Sequence, residues 1–128
     1  MTDTPLPSFE SHAKLSPDTE EITVTSGGGK QSKIEEACSE LPPLAMLNLA
    51  QVLAQGAAKY GSLNWHNISV KSELDHALRH TFRFLLMENL QVPLAERVCE
   101  LSHAACRLVM ALDQYIREET NLTPKQED

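Results

Sequence analysis

The chain is poor in several things, and each shortage excludes something. It has three cysteines, Cys38, Cys99 and Cys106, an odd number that fits neither a C-x-x-C pair nor a zinc-ligand spacing. They read as reduced thiols of a cytoplasmic protein rather than a disulfide framework. No apolar run approaches the ~20 residues of a membrane span, and no basic-then-apolar leader opens the chain. Bases are also scarce, with 11 Lys and Arg against 18 Asp and Glu and a net charge of −7. That balance repels duplex nucleic acid and anionic membrane, leaving room for a small anion held by a few local cations. Aromatics make up 5% of the residues, with Trp65 the single tryptophan.

The acidity is uneven. Residues 1–29 carry Asp3, Glu10, Asp18, Glu20 and Glu21 against Lys14 alone. Pro5, Pro7, Pro17 and the run Gly27-Gly28-Gly29 break any apolar period there, so burial cannot offset the entropy of ordering. We expect a disordered tail over 1–29, or one ordered by a partner, with Ile22-Thr23-Val24-Thr25 the one stretch able to form a strand. Residues 30–119 are expected to form one all-α domain, followed by a C-terminal tail over 120–128. No internal repeat stands out.

Helical periodicity begins beyond Lys30. A first helix is expected over 43–60, with Pro43 at its first turn and Gly61 at its end. Met46, Leu49, Ala50, Leu53 and Ala57 form its apolar stripe. A second helix, over 72–89, opens on Ser72-x-x-Asp75, a weak capping box. It carries Leu74, Leu78, Phe82 and Leu85 on one face. The third, over 93–119, carries Leu94, Val98, Leu101, Ala105, Leu108, Leu112 and Ile116, with Asn121 and Pro124 beyond it as stop signals. Three one-sided helices predict a helical bundle with the stripes packed inside.

Opposite the stripes lie His76, His80 and Arg83 on the second helix, and Glu96, Glu100, His103 and Arg107 on the third. Two readings stay open. Such a face is ordinarily solvated, with Asp75–Arg79 an ion pair one turn apart. If the two helices are antiparallel neighbours, the same residues face each other and His76, His80, Glu100 and His103 can enclose a divalent ion. In the intervening loop, Trp65 either plugs the end of the core or stacks on a base whose edge Asn64 reads. Lys30 and Lys33 follow the glycine run and could meet phosphates, but Gly-Gly-Gly-Lys lacks the frame of a P-loop.

Several segments together carry a family resemblance: Gly27-Gly28-Gly29-Lys30-Gln31-Ser32-Lys33, Leu41-Pro42-Pro43-Leu44-Ala45-Met46, Gly56-Ala57-Ala58-Lys59-Tyr60-Gly61, Asn64-Trp65, His76-Ala77-Leu78-Arg79-His80 and His103-Ala104-Ala105-Cys106-Arg107. The chain resembles the phage-type dATP/dGTP diphosphohydrolase domain, a branch of the MazG-like all-α pyrophosphohydrolases near the MazZ-like dGTP-cleaving enzymes. The resemblance implies a four-helix-type fold, a homodimer or homotetramer, Mg²⁺ or Mn²⁺, and water attack on the α-phosphorus of a (d)NTP with release of pyrophosphate. For a phage-encoded chain the compartment is the host cytoplasm. Taking the facing pairs together with the resemblance, we expect His76, His80, Glu100 and His103 to hold or orient the metal. Lys30, Lys33, Lys59, Arg79 and Arg107 meet phosphates, and Asn64 and Trp65 hold a purine base. The chain departs from the wider superfamily where its later Glu-x-x-Asp motif reads Glu100-Leu101-Ser102-His103. It also starts the earlier acidic motif with Asp75 alone and places Asn48 where relatives carry a first-helix acid. A histidine-rich set favours Mn²⁺ over Mg²⁺. A non-catalytic nucleotide-binding bundle and a purely structural bundle remain the alternatives.

Overall fold

The computed structural model describes residues 21–120. They fall into two compact units, one ending at Leu41 and one beginning at Pro42. The expectations for residues 1–20 and 121–128 lie outside the described residues.

In the first unit, strand β1 (Ile22–Val24) pairs antiparallel with β2 (Lys30–Ser32) in the register Ile22↔Ser32, Thr23↔Gln31 and Val24↔Lys30. The glycine run that suggested disorder is the turn of this hairpin. Gly28 sits at φ 84°, which only a residue without Cβ adopts freely. Thr25 closes the turn by accepting from the Gly29 amide through Oγ1 at 2.9 Å. Ile22–Val24 takes the strand that the sequence left open, and residues 25–29 form its turn rather than a disordered tail.

The second unit is all-α. Helix α1 (Pro43–Tyr60) starts on proline and ends where Gly61 takes φ 101°. Helix α2 (Val70–Asn89) begins two residues earlier than expected because Ser69, not Ser72, is the cap. Its Oγ accepts from the Ser72 amide at 3.1 Å. Helix α3 (Leu94–Glu119) follows after a turn of four residues, 90–93. Cross-helix pairs join Glu73 to Arg107 and His80 to Glu100. Partner numbers rise on one helix as they fall on the other, so α2 and α3 are antiparallel neighbours. Helix α1 packs on α3, where the Cys106 thiol donates to the Leu49 carbonyl at 3.7 Å.

The packing reverses the expected orientation of the two long helices. The buried residues are Leu49, Ala77, Ala104, Cys106 and Ala111, together with Ser69, Glu73, Glu100 and Gln114. The leucine stripes face outward, with Phe82 65% exposed, Leu112 60% and Leu78 54%. Ala77 and Ala104 let the backbones approach, and opposite charges pair across the seam. Of the two readings left open for the polar face, the solvated one does not hold, since this face is the inner one.

Candidate active site

The seam between α2 and α3 is built from charged pairs. Glu100, 8% exposed, accepts from His80 Nδ1 at 2.7 Å and forms an ion pair with Arg83 Nε at 3.0 Å. Glu73, fully buried, accepts from Arg107 Nη1 at 3.1 Å, and its Oε2 has no hydrogen-bond partner. Burial outweighs the Arg107 guanidinium at Glu73 and raises its carboxyl above the usual range. His103 lies with its ring 5.2 Å from that of His80. Burial first, then the neighbouring His80, lowers its pKa. His76 Nδ1 donates to the Ser72 carbonyl at 2.8 Å.

A cavity of about 930 Å³ opens on this seam. His76, His80, His103 and Arg107 line one part of it; Lys59, Tyr60, Asn64 and Trp65 line another. No carboxylate stands in its wall. The two glutamates sit behind the wall, Glu100 aiming His80 and Glu73 aiming Arg107, so the cavity presents cationic side chains and imidazoles to whatever enters. The 3-10 turn Asn64–Asn67 carries the tryptophan, whose ring meets that of His66 edge-on at 4.1 Å. Gln114 of α3 ties this turn down, donating from Nε2 to the His66 carbonyl at 3.3 Å. Lys59 reaches over the Tyr60 ring, 4.9 Å from its centre.

Of the residues singled out from the sequence, His76, His80, His103, Lys59, Asn64, Trp65 and Arg107 come together on this cavity, and Glu100 supports it from behind. Arg79 does not join them. It is exposed on α2 and absent from the lining, and its expected partner Asp75 pairs instead with Lys71 at 3.3 Å. Lys30 and Lys33 belong to the hairpin unit, Lys30 opening β2 and Lys33 pairing with Glu21. Glu96 is exposed.

A family model, described as dATP/dGTP diphosphohydrolase, N-terminal, matches residues 25–123. The chain belongs to this family. No curated protein and no solved structure matches it. For a diphosphohydrolase domain, a cavity lined by cations and one tryptophan is apt, since a nucleoside triphosphate brings a polyanion and an aromatic face.

A resident divalent ion fits these side chains poorly. Among the described residues no three His, Cys, Asp or Glu side chains form a group able to hold a metal. His76, His80, Glu100 and His103 do not stand as a cage. Glu100 is taken by His80 and Arg83, and His76 is turned toward Ser72.

The residue that sequence reasoning missed is Glu73, and a signal for it was present. Glu73-Leu74-Asp75-His76-Ala77-Leu78-Arg79-His80 on α2 is echoed by Glu100-Leu101-Ser102-His103-Ala104-Ala105-Cys106-Arg107 on α3. Glutamate, leucine, histidine and alanine recur at equal offsets, and each glutamate bonds the seventh residue after the other. The two alanines are equally buried, at 2%. The seam is an inverted repeat with an approximate two-fold axis between the helices.

Proposed function

We propose that this domain hydrolyses a purine nucleoside triphosphate, dGTP or dATP, to the monophosphate and pyrophosphate. The triphosphate enters as its Mg²⁺ or Mn²⁺ complex, because Mg²⁺ commonly binds through substrate phosphates and few protein carboxylates. The supporting observation is the single cavity that joins a tryptophan and an amide to a cationic, carboxylate-free wall. Its volume of about 930 Å³ lies within the range of sites that hold whole cofactors or nucleotides.

In this reading Trp65 stacks on the base and Asn64 bonds its edge. Lys59 and Arg107 neutralise the phosphate oxygens as charge moves onto the departing diphosphate. Glu100 holds the Nδ1 proton of His80, so Nε2 is free to accept a proton from the water attacking the α-phosphorus. His76 and His103 offer ring nitrogens to the phosphate chain. The ion supplies additional charge compensation when it arrives with the substrate. Incubating the domain with a panel of ribo- and deoxynucleoside triphosphates and Mg²⁺ or Mn²⁺, with pyrophosphate detection, tests the proposal. Release from purine deoxynucleotides is expected; none from any nucleotide refutes it. The carboxylate-free wall also favours a second reading, a sequestering protein, for which the same panel gives tight binding without turnover.

The active form in this proposal is a homodimer, or a homotetramer built from dimers. The outward leucines of α2 and α3 supply the interface, and a second copy is its occupant. The unit's own interior is small, with Leu49 its one large buried apolar side chain, so covering that face would add most of its apolar burial. An identical face is the one partner always present, and it is self-complementary about a two-fold axis. No helix among the described residues is long and apolar enough to cross a membrane.

A further inference from the structure

We propose that the α2–α3 seam is a diphosphate subsite with a built-in direction, the permanently charged Arg107 marking the end where the β- and γ-phosphates lie. This deepens the hydrolase reading and rests on it. The inverted repeat places four nitrogen-bearing side chains on the cavity as two related pairs, His76 with His103 and His80 with Arg107. Inorganic diphosphate is itself a two-fold molecule, two phosphates about a bridging oxygen. A seam with two-fold symmetry and no carboxylate in its wall matches that shape and charge.

The symmetry is broken at one pair. Position eight of the repeat is His80 on α2 and Arg107 on α3. Each is held by the glutamate of the other helix, at 2.7 and 3.1 Å. A guanidinium grips phosphate oxygens through several fixed donors and never loses its charge, which suits a leaving group gaining negative charge. An imidazole with one nitrogen anchored can take up a proton, which suits the side where water attacks. The triphosphate therefore lies across the helices with its α-phosphate toward His80 and its terminal phosphates toward Arg107. A resident-ion cage would instead put carboxylates on the wall, and this seam puts them behind it.

Sodium pyrophosphate titrated calorimetrically into the full chain in the presence of a chelator tests this without relying on turnover. Wild type binds one diphosphate per chain, and orthophosphate binds at least about tenfold more weakly. Arg107→Gln alone strands the buried Glu73, so the double variant Glu73→Gln/Arg107→Gln is the main probe, with its circular dichroism compared to wild type. It loses about tenfold or more in diphosphate affinity, the scale of one charge-assisted contact. His80→Arg keeps diphosphate binding but releases no pyrophosphate from nucleotide. The proposal is overturned if diphosphate binds only with Mn²⁺ present, if orthophosphate binds as tightly, or if the folded double variant binds like wild type. Nucleotide hydrolysis without chelator-insensitive diphosphate binding sinks the subsite and spares the hydrolase. Diphosphate binding with no hydrolysis of any nucleotide does the reverse.

Discussion

Glu100 and Glu73 are both buried carboxylates, yet they do different work. Glu100 is saturated, with one oxygen on His80 and the other on Arg83. It fixes a tautomer, and His80→Ala is expected to lower kcat by about 100-fold or more with a smaller change in KM, measured by pyrophosphate release. Glu73 is under-satisfied, with Oε2 bare, and burial raises its pKa above 4.5. The folded state therefore holds this proton more tightly than the unfolded chain does. The stability that goes with the protonated form is complete below pH 4.5 and is lost as pH rises through the raised value. Relative to wild type, Glu73→Gln should gain in Tm as the buffer is taken from pH 4.5 toward neutrality. A Tm difference that is flat with pH would mean Glu73 keeps an ordinary pKa.

At the scale of elements, the caps and turns determine what the helices can present. Ser69 anchors the start of α2 one turn before Glu73, and Ser69→Ala is expected to cost about 1 kcal/mol, read from urea unfolding. The helices themselves were legible from periodicity and punctuation. Pro43 and Gly61 bracket α1, and Pro93 precedes α3. The direction of their faces was not. Periodicity separates Leu78 and Leu112 from His80 and Glu100 but is silent on which side meets a neighbour. The usual assumption that leucines turn inward fails where charged residues on two helices complement each other. Polar convergence of the imidazoles with Glu100 was readable from spacing, whereas Glu73 went unnoticed because its echo of Glu100 shows only when the two helices are aligned residue by residue. The hairpin was hidden for another reason: three-residue strands carry almost no periodic signal, and Gly27-Gly28-Gly29 serves a turn as readily as a disordered segment.

Seen whole, the helical unit holds charges inside and leucines outside, and in the proposed dimer a second copy covers those leucines. Burying one Leu or Phe side chain is worth about 1.5–3 kcal/mol. Phe82→Asp on the exposed α2 face should therefore yield monomers in analytical ultracentrifugation and a large fall in Tm, while wild-type Tm climbs with protein concentration. An unchanged sedimentation coefficient would place the interface elsewhere.

The carboxylate-free cavity also has a kinetic consequence. A chain carrying −7 overall approaches a polyanionic nucleotide as one negative body approaches another, and attraction begins only inside the mouth of the pocket. Moderate ionic strength damps the distant repulsion before it weakens the close contacts. Stopped-flow quenching of Trp65 should accordingly record faster capture as salt is first added and slower capture only at high concentrations, a maximum that a uniformly basic nucleotide binder would not show.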